Sequence, residues 1–362
     1  MAAFMAGTTF GPILGPPIAG YIAVISWSWA FWITVLIAGV TWPILLFMEE
    51  TYAPIILKRR AIKLRKDTGD DTIFAPIELE RTDFKHVVTV VLTRPVRMML
   101  FEPLVLFTCL YIAYVYAIFY IFLQSYPIVF RGIYGFSAGQ QGLTFLPIGV
   151  GAIITAGFYL AWDTILSKAR AQGKAWSQKE EMRRLPLSLF AGPLMVIGLF
   201  WLGWTAKPSI HWIVPTLSGI IFGMGYLCTF MALLNYLVDA YDIFAASAMA
   251  ASSFSRSTLG AVLPFCTRPM YKNLGVAWAC SLLAFVALAM SAIPFVFIKY
   301  GETLREKSKF CQYLAQKRLE EAEAKESGAS VNPNAGADVE NTIGLGNAVV
   351  AEEQRRKLKD RA

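Results

Sequence analysis

Arg256 is the one charged residue set well inside an apolar stretch, "AMAASSFSRSTLGAVLP" (248–264), with Ser252 four residues before it and Ser253 close by. A guanidinium at the centre of a bilayer costs about 2.5–3.5 kcal/mol on insertion scales, so it faces protein or water. Two roles follow for Arg256. It either ties helix carbonyls at a crossing or sets the local charge of a cavity that receives a solute or a proton. Tyr116, Tyr120 and Gln124 recur every fourth residue in "YVYAIFYIFLQ" (114–124) and share one helical face. Aromatics at that spacing pack on neighbours or anchor at an interface, and they also line binding walls. Asp239 and Asp242 in "NYLVDAYD" (235–242) and Asp163 in "LAWD" (160–163) stand where apolar stretches end. Carboxylates there cap the next helix or make a gate contact in one conformation only. A direct pair between Asp239 and Arg256 is excluded by depth, because Arg256 lies about 20 Å into its stretch at about 1.5 Å per residue.

Other chemistries find little support. His86 and His211 are the only histidines, and no base, nucleophile or metal cluster accompanies them. Cys109, Cys228, Cys266, Cys280 and Cys311 are scattered without CxxC or metal spacing, so neither a disulfide framework nor a metal site is expected. No GxxxxGK[ST] phosphate loop occurs. The expectation is a protein with no cofactor, no metal and no enzymatic activity.

The elements that must position these residues are apolar helices. The 362 residues are 56% hydrophobic and 16% charged, and the mean hydropathy is +0.51. Such a chain cannot coat the surface of soluble domains, which are about a quarter charged. Windows of membrane-spanning length fall at 3–25, 27–47, 100–123, 143–162, 188–205, 213–237, 244–266 and 275–298, the third running on to about Phe130 with Pro127 bending its end. The fold class expected is all-α, a polytopic membrane helix bundle with about eight transmembrane helices.

Eight spans define two sets of loops. One set (48–97, 163–187, 238–243 and 299–362) carries twenty-eight Lys and Arg, whereas the other carries only Arg131, Lys207, Arg268 and Lys272. This asymmetry places the 48–97 loop and the tail in the cytosol. It also accounts for the net charge of +8, so no nucleic-acid partner is needed. Within the loop, "KRRAIKLRK" (58–66) reads as a short amphipathic helix on anionic headgroups or as a solvated linker. The tail from about Glu320 reads as largely disordered.

The first span contains "FGPILGPPIAG" (10–20), in which Gly11, Gly15 and Ala19 line one face, with Pro12 and Pro16 adjacent and Gly20 closing the run. Small residues four apart let membrane helices approach closely, and prolines survive in such helices where neighbours support them. The expectation is that Gly15 lies against a crossing helix.

This stretch resembles the antiporter motif of the fifth helix in drug:proton antiporters of the major facilitator superfamily, departing from it at Ala2 and Ala19, where the pattern has glycine. "EETYAPIILKRRAIKLRK" (49–66), "RRLPLSLFAGPLMVIGLFWLGWTA" (183–206), "LLNYLVDAYDIFAASAMAASSFSRSTLGA" (233–261) and "KYGETLREKS" (299–308) are similar, in the right order, to fungal twelve-helix members of the polyamine and multidrug exporter type. The resemblance implies that the chain corresponds to the fifth to twelfth helices, without the first four. It also implies the last two helices of an N-terminal half at 1–47, a linker at 48–97, a complete C-terminal half at 98–298 and a tail at 299–362. It further implies proton-coupled export of drugs, polyamines or secondary metabolites by a monomer in the plasma or vacuolar membrane. On that basis Tyr116, Tyr120, Gln124, Asn235, Ser252 and Arg256 line the substrate cavity. Gly11, Gly15, Pro16 and Gly20 form the antiporter motif, and Asp163 and Asp239 the cytosolic gate. The alternatives are a non-transporting truncated form of such a transporter and, less favoured, a membrane enzyme.

Overall fold

The computed structural model describes residues 2–69, 74–75, 78, 93–174, 177, 181–308, 310–312 and 316; the tail read as disordered lies outside these. Helices occupy all eight expected positions. They are α1 (Ala2–Ile22) and α2 (Trp27–Leu46), a basic helix α3 (Ala53–Thr68), and a short α4 (Arg94–Phe101) leading into α5 (Pro103–Tyr126). Then follow α6 (Ala138–Leu143), α7 (Leu146–Ala171), α8 (Glu181–Thr205) and α9 (Ile213–Tyr241). The last are α10 (Ala245–Val262), α11 (Thr267–Met290) and α12 (Ala292–Lys307).

Five stretches among the described residues are long and apolar enough to cross a membrane: Pro103–Arg131, Ala138–Ala171, Glu181–Thr205, Ile213–Tyr241 and Ala245–Gly301. The last holds 57 residues, about 85 Å of helix against a hydrocarbon core of about 30 Å, which is enough for two crossings. The chain turns within it at Leu263–Cys266, a 3-10 turn containing Pro264, and at Gly275, whose φ of 73° only glycine adopts readily.

Local sequence explains the breaks. Pro103 and Pro147 stand at helix starts, where a missing N–H costs nothing. Ser137 and Gln140 form a reciprocal capping box at the start of α6. Pro127 opens the π-helical turn Pro127–Arg131 at the end of α5, where the sequence calls for a bend.

The chain divides into two compact units. One comprises residues 38–94 and 315–362. In its described part, Arg65 Nη2 donates to both carboxylate oxygens of Glu78, at 2.7 and 2.6 Å, and lies over the Phe74 ring. That hydrogen bonding holds the Glu78 carboxyl below the usual carboxylate range.

The other unit comprises residues 1–37 and 95–314 and contains the core. Its centre is a ladder of rings between α5 and α9. Phe122 stacks on Phe222 at 3.8 Å, Phe119 on Tyr226 at 4.3 Å, and Tyr116 on Phe230 at 6.3 Å. Around it the helices touch backbone to backbone at glycines. A Cβ on Gly223 (α9) would lie 2.5 Å from the Ile148 carbonyl oxygen of α7, and one on Gly225 would lie 2.5 Å from the Met195 nitrogen of α8. A Cβ on Gly198 would lie 2.8 Å from the Phe222 nitrogen, and one on Gly151 would strike the Ile220 carbonyl.

The first helix packs differently from the expectation. Gly11 and Gly15 have nothing within 4 Å of the position a Cβ would take, and Ala19 is exposed. α1 docks through buried Ile13 and Pro17, together with Gly20. Gly142 of α6 sits against Pro16 and Pro17, and Gly20 meets Ala138 and Gly139. The reason is angular. At 100° per residue, Ile13 and Pro17 lie about 200° around the helix from Gly11 and Gly15. Among the described residues the small face therefore points away from its neighbours, and Gly20 and Pro16 make the contacts assigned to Gly15.

Gly151→Val should cost about 1–3 kcal/mol, since the new side chain meets the α9 backbone and cannot be absorbed by a rotamer change. Gly157→Val, on the same helix with open space around it, serves as the control. Thermal unfolding of the two purified variants checks this: a lower midpoint is expected for the first only, and equal midpoints would show that the seam at Gly151 yields.

Candidate functional site

The expected site residues separate into two groups at different depths of the bundle. The deeper one is built where α5, α9 and α10 meet. Tyr116 and Tyr120 place their hydroxyl oxygens 3.1 Å apart with rings at 5.0 Å. The Arg256 guanidinium lies over two rings, 5.8 Å from the Tyr116 centroid and 5.5 Å from that of Phe230, a cation–π arrangement. Its hydrogen bond is a long one of 3.5 Å, from Nη2 to Ser253 Oγ. No described carboxylate pairs with it. Gly260, one turn beyond, makes the meeting possible: a Cβ there would lie 2.8 Å from the Tyr116 ring. Tyr111 and Tyr114 turn into the packing, and the Tyr114 hydroxyl donates to the Leu283 carbonyl at 2.7 Å.

Two turns along α5, Gln124 lines a cavity of about 930 Å³ together with Arg131, Phe136, Pro264, Thr267 and Arg268. α5 and α10 run in the same direction through the bundle, so Tyr116 stands level with Arg256 and Gly260, and Gln124 shares the cavity wall with Pro264. A second, almost wholly apolar groove of about 530 Å³, lined by Phe158, Trp162, Leu187, Phe190, Met224 and Cys228, opens outward, as the 74% exposure of Phe190 shows. It offers no group for polar recognition.

The second group sits where α7 ends and α8 begins. Arg184 donates through Nε to Asp239 at 2.9 Å and through Nη1 to the Tyr159 hydroxyl, while Arg183 approaches Asp239 at 3.8 Å. Asn235 Nδ2 donates to the same Tyr159 hydroxyl at 2.8 Å. Asn235 and Asp239 are four apart on α9 and so share a face, which is the face turned to α7 and α8.

Several assignments are thereby moved. Asn235 belongs to the Tyr159–Arg184–Asp239 cluster and not beside Tyr116, because it stands about 140° around α9 from Phe230. Ser252 is fully buried with an unpartnered hydroxyl, and Arg256 reaches Ser253, three residues back, instead. α10 begins without a side-chain cap, so Asp239 acts as an ion-pair partner and not as the cap. Asp163 is exposed and pairs with none of the described residues. Tyr159, Arg184, Phe230 and Gly260 escape a reading based on unusual residues. Two signals point to them: the Arg183–Arg184 doublet at the start of a span, and a glycine one turn from an embedded arginine. Glu102 is also missed. It is buried at the start of α5 and accepts from the Tyr241 hydroxyl at 3.3 Å.

Asp239→Asn should destabilise the protein, because it leaves the Arg184 guanidinium, only 15% exposed, without its charge partner. The site is partly wet, so the cost should be about 1–3 kcal/mol, below that of breaking a fully buried pair. A double-mutant cycle with Arg184→Leu in thermal unfolding checks this. A less-than-additive double variant is expected, and strict additivity would mean the pair contributes nothing.

The model of the Major Facilitator Superfamily matches residues 1–264. The chain is 40% identical over 320 residues to the efflux pump FUB11 of Gibberella moniliformis, covering 87% of this chain and 53% of that protein. It is 41% identical over 319 residues to the major facilitator superfamily multidrug transporter mdrA of Aspergillus fumigatus, covering 87% and 52%. It is 39% identical over 314 residues to the transporter paaT of Penicillium rubens, covering 86% and 57%. The chain thus spans about half the length of these relatives. No solved structure matches. A helical bundle with membrane-crossing stretches and this family match make the chain an integral membrane protein that belongs to the Major Facilitator Superfamily.

Proposed function

We propose that the chain forms the substrate-handling part of an exporter that moves small organic molecules across the membrane by alternating access. The observation that carries this reading is the Tyr116–Tyr120–Arg256 group. Hydroxyls and a guanidinium with no carboxylate partner among the described residues stand within a helical bundle, beside a residue that lines a 930 Å³ cavity. A purely structural arginine would satisfy its donors on carbonyls, and Arg256 makes one long bond to a serine. Relatives named as an efflux pump and a multidrug transporter support export over uptake.

In this reading Asp239, Arg183 and Arg184 hold a cytosolic gate, a contact that alternating access breaks and remakes. Asp163 stands at its edge. The 48–97 segment and the tail face the cytosol, a reading that their basic content supports. The coupling ion is the proton. The protein works as a monomer in the plasma membrane, with Pro16 and Gly20 in the seam on which the first helix moves. The linker at 48–97 joins the helices of 1–47 to the six-helix half at 98–298.

Reconstitution into proteoliposomes tests the reading. An imposed proton gradient should drive accumulation of a small dye, and a protonophore should abolish it. Accumulation equal to that of protein-free liposomes would support the truncated, non-transporting alternative.

A further inference from the structure

The surroundings of Tyr116 and Tyr120 and the walls of the cavity beyond them carry charge of one sign. From residue 103 to 162, and again from 244 to 301, the sequence contains no Asp or Glu, while Arg131, Arg256, Arg268, Lys272 and Lys299 fall within the same stretches. Three of these cations are placed on the site. Arg256 lies at the level of Tyr116 and Phe230, and Arg131 and Arg268 line the 930 Å³ cavity with Gln124. None of the three is paired with a carboxylate among the described residues. Arg184, at the other level, contrasts with them: it is tied to Asp239 and Tyr159.

From this geometry we infer that the site takes organic anions, specifically molecules with an aromatic or apolar body and a carboxylate or similar acidic group. This rests on the export reading and names its substrate class.

The fit is chemical at each contact. The guanidinium lies beside the stacked rings of Tyr116 and Phe230, and among the described residues only one of its five N–H donors is engaged, weakly, on Ser253. The remaining N–H edge is the arrangement that binds a carboxylate with two parallel bonds. The Tyr116 and Tyr120 hydroxyls, 3.1 Å apart, bond each other and leave one O–H donor free, and the half-buried rings of the same two residues offer an apolar wall for the body of the molecule. Two turns further, the Gln124 amide, Arg131 and Arg268 stand around the cavity, and the Thr267 hydroxyl there is fully buried without a partner. An anion leaving Arg256 therefore meets a second pair of cations, so its charge stays compensated along the path. A polyamine would meet only like charge at both levels, which disfavours that class for this chain.

Two xanthene dyes of similar size and opposite charge, fluorescein and rhodamine 123, test the inference in fluorescence-anisotropy titrations of the chain in nanodiscs. Fluorescein should bind about tenfold or more tightly than rhodamine 123, weakening as salt is raised. Arg256→Gln should remove about tenfold of the fluorescein affinity and spare or improve rhodamine binding, while Arg256→Lys, which keeps the charge but not the fork, should fall between. The wild-type comparison decides even if a variant fails to fold. Tighter binding of rhodamine 123 by the wild type, or fluorescein affinity within twofold in Arg256→Gln, overturns the anion assignment and leaves the export reading in place. Binding of neither dye overturns both.

Discussion

Inside a bilayer two helices gain little by hiding leucines from each other, because lipid tails are equally apolar, so close backbone contact must hold them together. The remainder of this bundle depends on that contact at the glycines of α7, α8 and α9. Gly223 rests on Ile148, Gly225 on Met195, Gly198 on Phe222 and Gly151 on Ile220. With α9 fixed this closely, its other residues are aimed. Phe222, Tyr226 and Phe230 meet the rings of α5, and Asn235 and Asp239 meet Tyr159 and Arg184. A single helix thus supplies the ring beside Arg256 and one half of the polar cluster at Tyr159 and Arg184.

The two arginine environments show how the same side chain is used in opposite ways. Arg184 is desolvated and compensated, with an ion pair and a phenol sharing its donors. Such a pair adds little net stability, since desolvation offsets the attraction, but it fixes geometry and is costly to break from one side. Arg256 is half-buried and has no carboxylate partner among the described residues. Holding a bare guanidinium at that depth is unfavourable unless water or a ligand reaches it, so its presence beside two aromatic rings points to a solvated path.

Much of this was legible in the sequence, and the parts that were not share a cause. Hydropathy located the helices, and Pro127 announced the irregular turn at the end of α5. Period-four spacing placed Tyr116 and Tyr120 together and on one face with Gln124, because both ends of that statement lie on one helix. Statements that needed a second helix fared worse. Gly11, Gly15 and Ala19 form a small face, yet nothing in their spacing says which way it points, and Ile13, Pro17 and Gly20 make the contact instead. The family resemblance groups Asn235 with the cavity residues, but the turn of α9 carries it to Tyr159. Arg184, Tyr159 and Gly260 matter through partners far along the chain, and no local pattern encodes those partners.

The claim on which the account turns is that water reaches Arg256 from the wall formed by Tyr116 and Tyr120. Cysteine accessibility tests it most directly. In a cysteine-free background, Tyr120→Cys in sealed vesicles is treated with a membrane-impermeant anionic methanethiosulfonate, with Phe190→Cys, on the outward apolar groove, as the lipid-facing control. Modification at position 120 and not at 190 is the result the account predicts. Silence at both positions would contradict it, and would make Arg256 a structural residue sealed within the bundle.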